Sequence, residues 1–268
     1  MVGVFMDSDS CHDSIRQGDS IKMKKFEMFR DYKPVVEDAI RMNGGRDFRY
    51  ASKELRADRQ LCALSISDRA GFLQMNDPIN NGHNLQYASS ELKADKELFQ
   101  DAMRNSYSSS AYGFGLHTYP KSIKEDKDLM LSFHNKMGNC FPFVGKKLQE
   151  DKEFVHHVLA TEGWQIQYTS AALKDDKETV LLALAQSDSP YQYCSARLQA
   201  DKEVCLRSLD LSSSNARHFP QEIRDLIGKD DPVAVLTKAV NAEKLSERLS
   251  IRLQPKTENR QQSMKMKI

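Results

Sequence analysis

The sequence has no stretch of 18 consecutive apolar residues and no excess of charge of one sign. Lysine and arginine number 39 against 38 aspartates and glutamates, which leaves a formal net charge of +1. We therefore expect no membrane span and no nucleic-acid partner drawn by a basic surface. The first residues also lack the basic stretch and apolar core of a secretory signal.

Cysteine is scarce and irregularly placed. The five cysteines form an odd set without a CxxC pair, which argues against a disulfide framework and favours a reducing, cytoplasmic compartment. A glycine-rich phosphate loop, GxSxG, HExxH and suitably placed paired carboxylates are also missing from the sequence. We expect no cofactor, no metal site and no catalytic residue, so the chain is predicted to be non-enzymatic.

What the sequence does have is an internal repeat. An aliphatic residue, which we call the anchor, recurs every 25 residues from Leu148 to Ile223. The 25-residue gap also separates Ile123 from Leu148, and before Ile123 the gaps are longer and less regular. The full set of anchors is Met28, Leu55, Leu92, Ile123, Leu148, Leu173, Leu198 and Ile223.

Each repeat is predicted to form two short helices. Apolar residues stand seven, four and zero places before the anchor, on one face of a first helix. An aspartate three places after the anchor predicts an N-cap, and positions seven, ten and eleven predict the buried face of a second helix. Such short helices are unstable alone. The predicted fold class is therefore all-α, an elongated right-handed α-solenoid of stacked two-helix repeats of about 25 residues.

The predicted array of about eight repeats covers residues 20–253. Residues 1–19 are rich in serine and aspartate and are predicted to be a flexible arm. A helix over residues 242–253 is expected to close the array. The polar residues 254–268 are predicted to be a flexible tail.

Two insertions in the N-terminal half interrupt the period, at residues 67–84 and 105–115. Insertions in repeat arrays become loops on one face, and such loops often carry binding. Aromatic and methionine side chains there suit protein recognition, although the same loops could fold back and cover a gap. The candidate partner-binding residues are Phe72, Met75, Tyr107, Tyr112 and Phe114.

Two further groups have both a structural and a functional interpretation. Stacked repeats would align Asp-Lys-Glu triplets, such as residues 151–153 and 201–203, along one edge. That edge is either a solvated structural feature or a charged docking rail. Cys140 and the nearby His134, His156 and His157 have the residue types of a nucleophile with its base, or of a zinc site, but their spacing favours packing and surface roles.

Two phrases carry a resemblance to a known family. LQYASSELKADKELFQDAM, residues 85–103, and IQYTSAALKDDKETVLLAL, residues 166–184, resemble the tandem helical repeat catalogued as domain of unknown function 4116. The resemblance extends over residues 48–209, with departures at Pro120 and Gly145, where the family pattern has serine. The family has no established activity, and its members look like repeat arrays of protists, algae and some bacteria, including intracellular pathogens with secreted effectors.

We therefore expect a non-enzymatic scaffold for protein–protein interaction, with its concave face and the insertions as the contact zone. The resemblance implies one context, a secreted bacterial effector that is translocated into a host cell cytosol and acts on a host protein. Two alternatives stay open. One is an enzyme that modifies host proteins at an insertion loop, and the other is a nucleic-acid-binding repeat protein, which the near-neutral charge disfavours.

Overall fold

The computed structural model describes residues 7–17, 19–21, 24–67, 82–106, 113–187 and 189–253. Within these ranges all regular structure is helical and no strand occurs, which confirms the predicted all-α class. No helix in the same ranges is both long and apolar enough to cross a bilayer. The chain divides into two compact units, Met1–Val158 and Leu159–Ile268, where the sequence predicts a single array over residues 20–253.

The N-terminal arm contains a packed helix where the sequence predicts flexibility. Helix α1 spans Ser8–Arg16 and is capped by the side chain of Asp7. Its Cys11 and Ile15 are fully buried, and the helix packs on α2, Lys33–Met42. The prediction of a flexible arm was wrong because two apolar residues four places apart already give a short helix one face to bury.

Each repeat has three helical segments rather than the predicted two. A 3₁₀ helix opens the repeat, a short helix holds the anchor, and a longer α-helix ends the repeat. The opening 3₁₀ helices span Arg46–Tyr50, Gly82–Tyr87, Leu116–Thr118, Phe141–Phe143, Gly163–Tyr168, Ser189–Tyr193 and Ser213–His218. In the repeat anchored at Leu55, the anchor helix is itself a 3₁₀ helix, Leu55–Ala57.

The α-helices of the repeats alternate between longer helices, with odd numbers, and anchor helices, with even numbers. In chain order they are α3 Arg59–Ile66, α4 Ser90–Lys93, α5 Lys96–Arg104, α6 Lys121–Lys124, α7 Lys127–Met137, α8 Lys146–Glu150, α9 Lys152–Leu159, α10 Ala171–Lys174, α11 Lys177–Leu184, α12 Ala196–Gln199, α13 Lys202–Leu211 and α14 Gln221–Ile227.

An extended residue separates the opening 3₁₀ helix from the anchor helix. Thr169 has φ −74° and ψ 166°, and the next residue, Ser170, caps α10 by accepting a hydrogen bond from the Leu173 N–H at 3.4 Å. Tyr119 is extended as well, because the residue before a proline, here Pro120, avoids the helical region. The prediction of one continuous first helix was therefore wrong.

The second half of each repeat follows the sequence prediction. Asp201 caps α13 by accepting hydrogen bonds from the N–H groups of Glu203 and Val204, at 3.0 and 3.1 Å. Asp176 holds the same position before α11 and accepts a hydrogen bond from Thr179 Oγ1 at 2.6 Å. The other aspartates that cap longer helices through their side chains are Asp58, Asp95, Asp126 and Asp151. The positions seven, ten and eleven places after the anchor are buried in all six repeats anchored from Leu55 to Leu198.

The ends of the predicted array differ from the expectation. Met28 is 60% exposed, so its assignment as an anchor was wrong; it lies in the 3₁₀ helix Lys24–Phe29, which buries Phe26 instead. The last helix, α15, runs without a break over Pro232–Leu253. The prediction of a separate closing helix over residues 242–253 was therefore also wrong, because no glycine or proline interrupts the helical pattern between residues 233 and 253.

The hydroxyl group of Tyr119 is buried and has no hydrogen-bond partner in the part of the chain that the structure describes. The ring lies 5.1 Å from Phe99 and 5.6 Å from Phe114, measured between ring centroids. Burial raises the pKa of Tyr119 well above its ordinary value, so the group stays neutral. Tyr119→Phe is expected to raise the free energy of unfolding by about 1 kcal/mol, because it removes an unmet hydrogen bond. Denaturation by urea measures the change.

Tyr191→Phe is the matched control for that substitution. The Tyr191 hydroxyl donates a hydrogen bond to the Gln199 carbonyl oxygen at 2.8 Å. Its removal is expected to lower the free energy of unfolding by about 1 kcal/mol, the opposite sign. Destabilisation by both substitutions would contradict the unpartnered state of the Tyr119 hydroxyl.

Candidate functional site

The structure places one of the five candidate partner-binding residues. Phe114 is fully buried, with its ring centroid 5.6 Å from that of Phe99 and 5.2 Å from that of Phe133. Its prediction as a partner-binding side chain was wrong, because the end of the insertion turns this ring back into the core between two successive repeats. The candidates that lie outside the described residues are Phe72, Met75, Tyr107 and Tyr112.

The group around Cys140 is packed rather than open. Cys140 is fully buried and His134 is 5% exposed. His157 is exposed, and its Nε2 lies 2.9 Å from Asn135 Oδ1. The ring centroids of His134 and His157 are 6.1 Å apart. Because the thiol is closed to solvent, this group shows the packing role that the residue spacing favours.

The other thiols of the repeats lie in the core too. Burial raises the pKa of Cys62 and of Cys194 to about 12. Burial raises the pKa of Cys205 to about 11. A thiol attacks or binds metal as the thiolate, so these three cysteines act as small apolar side chains at neutral pH.

Ion pairs join the starts of successive longer helices, and we call this line of pairs the charge ladder. In each pair the cation is the first residue of one longer helix, and the carboxylate is the N-cap aspartate of the next. In the first unit the pairs are Lys33–Asp58 at 2.7 Å, Arg59–Asp95 at 3.1 Å, Lys96–Asp126 at 2.5 Å and Lys127–Asp151 at 3.0 Å. In the second unit Lys177 pairs with Asp201 at 2.9 Å.

The charge ladder explains why the triplet Asp-Lys-Glu recurs. The aspartate caps its own helix and receives a cation from the preceding repeat, while the lysine reaches forward to the next repeat. The glutamate adds a second acceptor, as Glu203 does for Lys177 at 2.8 Å. At the end of the second unit, Lys202 pairs with Glu243 of α15, and Lys244 of α15 pairs with Glu203 at 2.6 Å. The triplets thus form the structural edge rather than a free docking rail.

The charge ladder predicts a loss of stability in acid. For Asp151, the hydrogen bond from the Phe154 N–H lowers the pKa, partial burial opposes this, and Lys127 lowers it further, below the ordinary 3.8. A carboxylate whose pKa is lowered by folding stabilises the folded state fully above its unfolded pKa, and this contribution is lost as pH falls through the folded pKa. The free energy of unfolding is therefore expected to be steady from about pH 7 to pH 5 and to fall below about pH 4.

Asp151→Asn is the variant that tests this prediction. It should cost about 0.5 to 1 kcal/mol at neutral pH, because asparagine still caps the helix but loses the ion pair with Lys127 and the charge at the helix N-terminus. Its loss of stability between neutral and acid pH should be smaller than that of the parent, because one titrating carboxylate is gone. Urea denaturation at several pH values measures both effects. Parallel pH profiles for the two proteins would rule out a contribution from Asp151.

An open groove lies between α11 and α13 in the second unit. It encloses about 460 Å³, with Leu181, Leu182 and Leu206 as its apolar lining and charged side chains beside them. These leucines stand eight or nine places after their anchors, just outside the buried stripe. The sequence signal for this groove, which the prediction missed, is leucine on a second face of each of these helices. The charged side chains of the groove are Glu203, Arg207 and Asp210.

No protein family model, no curated protein and no solved structure matches the chain. Membership of the repeat family that the sequence resembles therefore stays a prediction. What the described residues establish is an all-helical chain whose triplets are occupied in binding one repeat to the next.

Proposed function

We propose that the chain is a non-enzymatic, right-handed α-solenoid that binds another protein. Contacts that recur between neighbouring repeats support the solenoid. In the first unit the Ser89 N–H donates to the Arg56 carbonyl oxygen at 3.0 Å, and in the second the Ser195 N–H donates to the Lys174 carbonyl oxygen at 3.0 Å. The charge ladder repeats in the same way. Solenoids are stabilised by such contacts between adjacent repeats.

The groove between α11 and α13 is the observation that carries the binding function. Three leucines present an apolar lining that is open to solvent, and charged groups of both signs stand beside it. An amphipathic helix suits such a groove, since its apolar residues at intervals of three and four would contact the leucines. The repeats are ordered before binding, so little conformational entropy is lost on association.

The family resemblance adds a context to this proposal. It favours a bacterial effector that is delivered into a host cell cytosol, where the partner would be a host protein. Sequence resemblance alone supports this part. Recovery of the chain from the cytosol of infected cells tests it separately from the binding function.

The groove is tested with Leu182→Glu and Leu206→Glu. Each places a charge in the apolar lining and is expected to weaken partner binding at least about tenfold. Leu226→Glu on α14 is the control, because Leu226 is 43% exposed and lies outside the groove. Partners captured by the parent, identified by cross-linking and mass spectrometry, are compared among the three variants after circular dichroism confirms folding. Equal capture by all three would reject the groove as the contact surface.

A further inference from the structure

The last helix, α15, extends beyond the helix on which it packs. Leu236 and Val240 are its buried side chains, and it contacts α13 and α14. Glu243 and Lys244 form ion pairs with the first turn of α13. After Lys244, all side chains of α15 that the structure describes are exposed. The end of α15, about 13 Å long, therefore lies outside the packed part of the second unit.

Two exposed leucines lie on the side of α15 that faces away from the repeats. Leu245 is 59% exposed and Leu249 is 48% exposed. Leu245 follows the buried Leu236 by nine residues, and Leu249 follows a second buried residue, Val240, at the same interval. Nine residues are about two and a half helical turns, so each leucine lies opposite a buried residue. The outer face of a terminal helix in a repeat array is usually polar. This apolar surface therefore indicates a contact with another molecule.

Basic side chains border these leucines. Lys238 stands seven residues before Leu245 and Arg252 seven residues after it. Seven residues are about two turns, so all three share one face, and Arg248 is a neighbour of Leu245 one turn further on. The three cations are exposed and form no ion pair with the residues that the structure describes. We call Lys238, Leu245, Arg248, Leu249 and Arg252 the outer stripe.

The acidic side chains of α15 lie on the opposite face. Glu243 follows the buried Leu236 by seven residues. Glu247 follows the buried Val240 at the same interval, so both acids lie on the buried side of the helix. Glu243 pairs there with Lys202 of α13. Since α15 has no other acidic residue, the outer stripe combines two leucines and three cations with no negative charge.

Basic charge is concentrated in the same region of the sequence. Residues 248–268 contain six lysines and arginines and one glutamate, a net charge of +5. Residues 1–247 contain 33 lysines and arginines and 37 aspartates and glutamates, a net charge of −4. The near-neutral total therefore conceals a basic region that begins within the outer stripe. Such a region is attracted to an anionic surface.

We propose that the outer stripe binds the surface of a lipid bilayer that contains anionic lipids. The anionic headgroups pair with Lys238, Arg248 and Arg252, and the two leucines enter the boundary between headgroups and acyl chains. A helix that lies in the plane of a membrane presents both kinds of side chain on one face, as α15 does. An anionic bilayer matches this face because it has negative charge above an apolar layer.

Two other occupants fit the outer stripe less well. A nucleic acid offers phosphate charge but no apolar layer for the leucines. In a two-fold dimer of the chain the same surface meets itself, so Arg248 and Arg252 lie close to the same cations of the second copy and repel them. The outer stripe is also separate from the groove between α11 and α13, and each proposal can fail without the other.

Cosedimentation of the full chain with lipid vesicles tests the proposal. Phosphatidylcholine vesicles that contain phosphatidylserine provide the anionic surface, and vesicles of phosphatidylcholine alone provide the neutral one. The parent is expected to bind the anionic vesicles at least about tenfold more tightly than the neutral ones. Added sodium chloride is expected to weaken this binding, because it screens the cations of the stripe.

The leucines are tested with the double variant Leu245→Gln and Leu249→Gln. It is expected to bind anionic vesicles at least about tenfold more weakly than the parent, because two apolar side chains no longer leave water. Ile251→Gln is the matched control, since Ile251 is 63% exposed. It follows Lys244 by seven residues and so lies on the side of α15 that pairs with α13. Its vesicle binding should stay within about twofold of the parent's.

The cations are tested with the double variant Arg248→Gln and Arg252→Gln. It is expected to weaken binding to anionic vesicles at least about tenfold, because each cation near an anionic surface strengthens the attraction. The control is Lys146→Gln with Lys147→Gln, which removes the same net charge from exposed side chains of α8. Its binding should stay within about twofold of the parent's. Circular dichroism checks that every variant is folded.

Loss of vesicle binding by both stripe variants, with binding retained by both controls, supports the proposal. It is overturned if the parent does not bind anionic vesicles. It is also overturned if the leucine variant binds like the parent, because binding that needs only the cations is the electrostatic attraction that any polyanion exerts. A parent that binds no vesicles, and whose dimer in gel filtration is dissociated by the leucine substitutions, would assign the outer stripe to a second copy of the chain.

Discussion

Phe114→Ala is expected to lower the free energy of unfolding by about 3 to 5 kcal/mol. The side chain is fully buried, and its ring contacts aromatic rings from both neighbouring longer helices, Phe99 of α5 and Phe133 of α7. Truncation leaves a cavity that two packed repeats can close only in part. The lost transfer free energy of the ring and the remaining cavity therefore both lower the free energy of unfolding. Guanidinium denaturation followed by circular dichroism measures the change.

Met28→Ala is the control for this experiment. Met28 is 60% exposed, so its truncation is expected to change the free energy of unfolding by less than about 0.5 kcal/mol. The two substitutions distinguish the structure from the prediction made from sequence, in which Phe114 binds a partner and Met28 is a buried anchor. If the Phe114→Ala protein is as stable as the parent, the burial of this ring is contradicted, and Phe114 is again a candidate partner-binding residue.

Gly163→Ala is expected to cost about 3 kcal/mol or more, the upper part of the range for overpacking. A Cβ atom at residue 163 would lie 2.2 Å from the Ala183 carbonyl oxygen and 3.0 Å from the Ala183 carbonyl carbon. Both atoms belong to the backbone of α11, which cannot retreat without breaking its own hydrogen bonds. Thermal unfolding followed by circular dichroism, in parallel with urea denaturation, measures the loss.

The same close approach recurs 20 residues apart in two other repeats. A Cβ atom at Gly45 would lie 2.1 Å from the Ser65 carbonyl oxygen, and one at Gly82 would lie 1.9 Å from the Ala102 carbonyl oxygen. Gly228→Ala is the control, because Gly228 has φ +60° and no atom within 4 Å of the added Cβ. Its ψ of −119° lies outside the left-handed helical region, so a backbone cost of about 1 to 3 kcal/mol is expected there without steric overlap. A cost at residue 163 no larger than the cost at residue 228 would show that steric overlap is not what selects glycine.

The longer helices were predictable because their signals are local. An N-cap aspartate such as Asp58 bonds N–H groups two and three residues away, and the core positions recur at fixed distances from the anchor. The opening 3₁₀ helices were not predicted, since apolar residues at intervals of three and four fit one helix as well as two shorter segments. The serine at residue 170 and the proline at residue 120 held the local signal for that break.

The candidate site was less predictable than the fold. The sequence predicted binding at the insertions, because they break the period. The groove between α11 and α13 was not predicted, because its leucines follow the period and do not stand out from the other repeats. Leu181 and Leu206 occupy regular positions of regular helices. Their exposure depends on how far apart two helices pack. Spacing along the chain does not report that distance.

The sequence by itself determined the all-helical class, the period, the aspartate caps and the buried stripe of each longer helix. All of these depend on residues within a few turns of one another or on a repeated interval. The tertiary structure decided which carboxylate each ladder cation reaches, 24 residues away for Lys127 and 36 for Arg59. It also decided that Phe114 faces the core. These outcomes depend on distances through space between repeats. Insertions change how many residues separate two ion-pair partners along the chain, whereas the packing of neighbouring helices keeps the partners in contact.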